Sequence, residues 1–425
     1  MNKNLNKNYQ NIIEKSVVQI YSQKIEIDLN HPLNIFKTIQ STGTGFFIAD
    51  NEILTCYHVV SNSLDIKIKL NKNECKGKIK YIFPDDDLAI LTFENCFNEY
   101  NVLDYKIIKE KGVLYVTTVG YPYNSKNLII TKGIISGYQE SLIQTDSPLN
   151  SGNSGGPILI DNKFIGINHM KMTGDASNIG FSIPIFRLLI IWKLKKNNLK
   201  LINYKPKLLF KFQKIKQKEF IKSDGVIVTK LHDDSPLKKI GIDIGDYLIS
   251  INNLIIDNDG FIQFNFFPEK ISLDDIHLWF IENDIISIKF YSVKNKSFKT
   301  ENLVFKIIND NLINYHYGLT DKYYYENNGL IISIFTDYHF KNFMNLQINI
   351  LQRLQIFERI TDYNNKFTIY LADVNYSKLK FTNYPIGDII LEINDILIDN
   401  IDTFKKIILV PLNKIKTINN EIYFV

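Results

Sequence analysis

The chain has 425 residues, of which 45% are hydrophobic and 22% charged, an ordinary globular composition at a length that suits two to four domains of roughly 100–200 residues. Its formal net charge of +5 is small for that length and no face reads as a dense Arg cluster, so nucleic acid is excluded as an expected partner. The longest apolar stretch, Ile183 to Trp192, is broken by Pro184 and Arg187 and falls far short of the ~20 residues of a membrane span, so no membrane partner is expected either.

The leading residues MNKNLNKNYQNIIEK contain no run of about 7–15 apolar residues that could form a signal-peptide core, and 1–15 read as an N-terminal extension. From Ser16 to about Ile183, short segments rich in Val, Ile, Thr, Tyr and Phe follow one another closely: SVVQIYSQ, GTGFFIA, EILTCYHVV, LDIKIKL, LAILTF, VLYVTTVGY, LIITKGIISG, GPILI and FIGINHM. Many strands at such spacing predict an all-β barrel or sandwich. IFRLLIIWKLKK then turns to helical spacing with Lys at its end, where the helix dipole favours cations. A basic stretch from Lys193 to Lys218 reads as a solvated linker and boundary region.

The C-terminal half holds an internal repeat. IGDYLISINNLIIDN (Ile244–Asn258) and IGDIILEINDILIDN (Ile386–Asn400) share Ile-Gly-Asp, a central Ile-Asn and a terminal Ile-Asp-Asn, which predicts two copies of one module. In each copy a Gly-Asp turn precedes a strand, and Asn252-Asn253 or Asn394-Asp395, tolerant of positive φ, makes a hairpin turn. SLDDIHLWFIEN reads as a helix with Ser272 as N-cap. Three sparse cysteines, Cys56, Cys75 and Cys96, with no CxxC, suit a reducing interior, and the chain is expected to be soluble and intracellular, in the cytoplasm, with the nucleus or an organelle as alternatives. No metal or other cofactor is expected.

The sharpest chemical signal is SPLNSGNSGGPILI. A nucleophilic Ser154 would sit on a tight turn whose backbone N–H groups aim at the point where a carbonyl oxygen becomes negative, and Gly152, Gly155 and Gly156 permit the backbone this demands. Upstream, LTCYHVV places His58 at the end of an apolar strand, and DDDLAIL places Asp87 directly before another. Serine needs a base to take its proton, and imidazole needs an acceptor to hold its tautomer. The order His, Asp, Ser is that of chymotrypsin-like enzymes. Asp85 and Asp86 are expected to be solvated turn acids, and His169 is the rival base.

STGTGFFIADNEILTCYHVV, DDDLAIL, GYPYNSKNLIITKGIISG, QTDSPLNSGNSGGPILI and NIGFSIPI resemble the HtrA/Deg family of serine proteases, above all the plant Deg-type branch with two PDZ-like domains. The resemblance covers about Ser16 to Phe186 and then both repeat copies. It implies a mostly β chain: a chymotrypsin-like double β-barrel protease domain over 16–200, then PDZ-like α+β domains over 201–310 and 311–425. The triad is then His58, Asp87 and Ser154, with the oxyanion hole at Gly152, Asn153 and Ser154, chiefly the N–H groups of Gly152 and Ser154. Pro148, Leu149, Ile167 and Asn168 would form the substrate pocket, which offers no carboxylate to a basic side chain. The implied function is ATP-independent endoproteolysis of unfolded or damaged polypeptides by a homotrimer or hexamer, without metal. The alternative is a catalytically weak polypeptide-binding holdase or scaffold.

Two departures from that family bear on regulation. The connection Gly137–Ser141 is short, so it is expected to reach little beyond its own barrel and to relay no signal from the C-terminal modules. Leu208–Phe212, the candidate peptide-binding strand of the first module, lacks the usual glycine, which argues against carboxylate capture there.

Overall fold

The computed structural model describes residues 10–425 apart from 27, 34–36, 95, 110–111, 172–178, 196–198, 216–222, 308–314, 343, 345, 347, 362–366, 376, 380–383 and 425. Six strands come first: β1 (Val17–Glu26), β2 (Lys37–Ala49), β3 (Glu52–Cys56), β4 (Ser63–Leu70), β5 (Asn73–Phe83) and β6 (Leu88–Phe93). They close into a barrel in the order β1-β2-β3-β6-β5-β4. In β4, Ile66, Ile68 and Leu70 point inward while Lys67 stays exposed, the period of two that a half-buried strand requires. Phe46, Ile53, Leu54, Ile68 and Leu91 are fully or almost fully buried in this barrel.

A second closed barrel follows, from β7 (Tyr115–Gly120), β8 (Ile129–Gln139), β9 (Leu142–Thr145), β10 (Pro157–Ile160), β11 (Lys163–Lys171) and β12 (Gly180–Pro184), in the order β10-β11-β12-β9-β8-β7. Its core gathers Val116, Ile135, Ile143, Ile158 and Ile165. The predicted helix forms over Ile185–Lys195.

Beyond the barrels lie a six-stranded sheet, which includes Tyr247–Ile251 and Ile285–Ser292, and a seven-stranded sheet, which includes Ile369–Val374 and Ile389–Ile393. The repeated motif plays the same part in both: Tyr247–Ile251 pairs with Leu254–Ile255, and Ile389–Ile393 pairs with Ile396–Leu397. Asn252 and Asn253 have φ of 51° and 63°, and Asn394 and Asp395 have 50° and 62°, the doubly left-handed turn that matches strand twist. Leu273–Trp279 is a 3₁₀ rather than an α-helix, capped as expected by Ser272, whose side chain accepts from Asp274 N–H.

The chain forms two compact units, Met1–Lys24 with Ile39–Ile307, and Ile25–Thr38 with Ile308–Val425. The second is therefore discontinuous in sequence. Ile25, near the end of β1, and Leu29, from the connection between β1 and β2, pack within its core beside Tyr323, Phe335, Ile356 and Tyr370. There His31 Nδ1 also lies 2.9 Å from Asp373 Oδ2.

Two expectations change. Cys75 and Cys96 form a disulfide, and only Cys56 remains free and buried among the described residues, so the reading of an unpaired, reduced cysteine set does not hold. The turn between β8 and β9 has just two left-handed residues, Glu140 and Ser141, yet it touches the six-stranded sheet's module within the first unit. Ser141 Oγ donates to Asp275 Oδ2 at 3.1 Å, and the Tyr138 ring lies 5.2 Å from that of Phe267. Reach along the chain was the wrong measure, because the module comes to the hairpin. In the candidate peptide-binding strand of the first module, Leu209 adopts φ of 50°, the left-handed conformation that glycine adopts without strain.

Candidate active site

Pairing of β3 with β6 sets Cys56 opposite Leu88, which brings the residues just beyond both strand ends together. His58 lies on the single helical turn Tyr57–Val60, anchored by buried Val59 and Val60. Asp87 caps the 3₁₀ turn Pro84–Asp86 with φ of 50°. Tyr57 N–H donates to the Asp87 carbonyl at 2.8 Å, and His58 N–H donates to Asp87 Oδ1 at 2.8 Å. The ring completes the contact, with His58 Nδ1 2.6 Å from Asp87 Oδ2. Burial raises the Asp87 carboxyl's affinity for a proton, but hydrogen bonds from His169 and His58, with their charges, outweigh it and hold the group well below the ordinary carboxylate range. Asp87 thus stays ionised across neutral pH and can hold an imidazolium.

Ser154 sits on the turn before β10, and residues of both barrels lock that turn. Thr44 of β2 donates through Oγ1 to Gly152 O at 2.6 Å and through its N–H to Ser154 O at 2.9 Å. From β11, Asn168 O accepts Gly155 N–H at 2.8 Å. Gly152 has φ of 100° and a Cβ there would lie 2.3 Å from Tyr121 O; Gly155 has φ of 86° and its Cβ would meet Thr44 O at 2.2 Å. No other residue fits either place without moving the turn. Asn153 N–H is already committed to Asn150 O at 2.9 Å, which removes Asn153 from the expected set of oxyanion donors.

His58, Leu149, Asn150, Ser151, Asn153, Ser154, Asn168 and His169 line one cleft of about 360 Å³. Of the expected pocket residues, Leu149 and Asn168 are there and Pro148 and Ile167 are not. Pro148 is exposed, while Ile167, on the opposite face of β11 from Asn168, is fully buried in the barrel core. Ser154 Oγ donates to the His169 carbonyl at 3.0 Å, so attack requires a rotation of the hydroxyl toward His58. Such bonds often tighten only with substrate in place. His169 Nε2 lies 3.0 Å from Asp87 Oδ2, which engages the ring of the rival base with the acid. Cys56, His58 and Asp87 also bring ligand-type atoms within 4.8 Å of one another. Burial pushes the Cys56 thiol well up, which keeps it protonated, and its Sγ donates to Asn168 O at 3.3 Å.

Asp85 and Asp86 are not the solvated acids expected of them. Asp86 is 1% exposed; Arg187 Nε donates to its Oδ1 at 2.7 Å and Lys205 Nζ lies 3.4 Å from its Oδ2. Asp85 Oδ2 accepts Lys205 N–H at 2.8 Å, and Lys205 Nζ donates to Leu278 O at 3.0 Å. Sequence reasoning also missed Thr44; the only available signal was a polar residue between two glycines just before the apolar run Phe46-Phe47-Ile48.

The double barrel and this cleft define a trypsin-like peptidase domain, and a family model described as "Trypsin-like peptidase domain" matches residues 43–167. The chain is 28% identical over 271 residues to the putative mitochondrial protease Do-like 3 of Arabidopsis thaliana, covering 59% of this chain and 48% of that one. It is 31% identical over 230 residues to a probable periplasmic serine endoprotease, DegP-like, of Pseudomonas fluorescens, covering 50% and 48%. Among solved structures, the HtrA-type protease AlgW with a decapeptide superposes with a TM-score of 0.54 at 19% identity, over 71% of this chain and 98% of that one, a likeness of fold. The matched stretch of this chain is thus similar to Do-like and DegP-like proteases. The chain spans about half the length of the curated relatives it matches. Among the described residues, no helix is long and apolar enough to cross a membrane.

Proposed function

We propose that the chain is a serine endopeptidase in which Ser154 is the nucleophile, His58 the general base and Asp87 the residue that orients and charges the base. The observation that carries this reading is the 2.6 Å contact between His58 Nδ1 and Asp87 Oδ2 in the cleft that also holds Ser154. With Nδ1 bound to the carboxylate, Nε2 is the ring nitrogen left to take the Ser154 proton as Oγ attacks a peptide carbonyl. The Gly152 and Ser154 N–H groups would stabilise the oxyanion, and His58 would return the proton to the leaving amine. Water then repeats the sequence on the acyl-enzyme. The regions 201–310 and 311–425 act, in this reading, as PDZ-like modules that capture unfolded or damaged polypeptide, and the chain works as a homotrimer or hexamer.

A serine-directed fluorophosphonate tests the reading. It should label the purified chain at Ser154 alone, in parallel with casein cleavage. A folded chain that binds casein but neither labels nor cuts would favour the holdase. Side-chain preference is a further expected outcome. Among the described residues the cleft is lined by Leu149 and no carboxylate, so cuts should fall after Val, Ala, Ile or Leu. Mass-spectrometric mapping that found cuts mainly after Lys or Arg would show the pocket to be wrongly assigned.

A further inference from the structure

Asp87 serves two imidazoles. Its Oδ2 lies 2.6 Å from His58 Nδ1 and 3.0 Å from His169 Nε2, while Oδ1 takes the His58 N–H at 2.8 Å. The second ring is held in place by backbone geometry. Along β11 and β12, Asn168 pairs with Ser182 and Met170 with Phe181, so His169 is the extra residue of a β-bulge. A bulge re-aims a side chain that strict alternation would send to the other face. The strand on either side is fixed: Asn168 N–H donates to Gly156 O at 2.8 Å, and its side chain donates to Val119 O and Pro157 O at 3.4 Å.

The tautomer follows from what surrounds the ring. His169 Nδ1 is buried with no hydrogen-bond partner among the described residues. A proton placed there would be an unpaired buried donor, whereas a proton on Nε2 meets the Asp87 carboxylate. His169 is therefore a fixed donor to the acid, and its carbonyl accepts the Ser154 hydroxyl at 3.0 Å.

Resting on the triad proposed above, we propose that His169 is a positioning residue of the site, which aligns the Asp87 carboxylate and tempers its pull on the His58 proton. The charged and titratable groups facing this cluster are His58 and Cys56 beside β3, Asp87 before β6, and Lys24 of β1, whose Nζ bonds the His58 carbonyl. With the His169 donor gone, the Asp87 charge would act undiluted on His58. The carboxylate would also gain rotational freedom.

The test uses the full chain and the variants His169→Ala and His169→Gln, the second of which keeps an N–H donor at comparable reach. Steady-state rates on a chromogenic peptide should show kcat falling in His169→Ala by about 10- to 100-fold, the scale of lost second hydrogen-bond partners, with KM unchanged. The acid limb of its pH profile should move to higher pH, because a more basic His58 is protonated sooner. His169→Gln should recover most of the rate and the profile. An independent readout is the far-downfield Nδ1–H proton resonance of His58, expected to shift in His169→Ala and to return in His169→Gln. Wild-type kcat, an unmoved acid limb or an unmoved resonance in folded His169→Ala would overturn the proposal. Failure of wild-type Ser154 to react with fluorophosphonate would instead reject the triad, and the resonance would still decide the role of His169.

Discussion

Ser154→Ala is expected to lower kcat on casein by roughly 10⁶-fold, to near the background rate, because nucleophile and base act as a unit. Its structural cost should be small. The hydroxyl's described bond is to the His169 carbonyl, and losing one such bond costs about 1 kcal/mol. The turn itself is held by Thr44, Asn168 and the Gly152 and Gly155 backbone, none of which the substitution touches. Casein turnover, binding of inert casein and thermal unfolding, measured together, check this. Substantial cleavage by the variant would mean that another residue is the nucleophile.

Asp86→Ala should have the largest effect on stability. Arg187 and Lys205 have side chains only 6% and 3% exposed, and Asp86 is their shared counter-ion. Truncating it leaves two cations buried without compensation, and breaking such a pair from one side costs about 3–5 kcal/mol. The denaturant midpoint should fall accordingly. The triple variant Asp86→Ala, Arg187→Met, Lys205→Met should recover most of the loss, since buried charges replaced together by apolar groups are often neutral in effect. A stability for Asp86→Ala within experimental error of wild type would show that the network is wetter than its burial implies. Asp86 also precedes the strained Asp87 in the chain, so the single variant should lose rate as well.

The candidate catalytic residues were legible because each is a polar residue beside or shortly before an apolar strand, a place where burial alone would choose otherwise. His58, Asp87 and Ser154 stand out against EILTC, LAILTF and PILI for that reason. The repeat's hairpins were legible too, since Asn-Asn and Asn-Asp supply the left-handed pair that such turns need. What failed were features set by distant partners. Asp86 looks like a turn acid until Arg187, 101 residues away, is placed beside it. The bulge that swings His169 onto Asp87 depends on register against β12, and register leaves no mark in the composition of one strand. The resemblance placed Pro148 and Ile167 in the pocket, whereas the face of the strand and the path of the loop decide which side chains line it.

The packing of Ile25 and Leu29 beside Tyr323, Phe335, Ile356 and Tyr370 imposes an order on biosynthesis. The first of these residues leave the ribosome early and the others late, with the whole of Ile39–Ile307 made between them. Until the residues from Ile308 onward are made, the end of β1 and the β1–β2 connection have no core to enter, and Ile25 and Leu29 stay in water. Closing a loop of that length adds little equilibrium cost, since each doubling of length costs only about 0.6 kcal/mol, but it slows the search. The second unit therefore assembles from two stretches far apart in the sequence, and a chain cut short near Ile307 would carry the unpaired segment as a permanent sticky edge for chaperones or for other copies of itself.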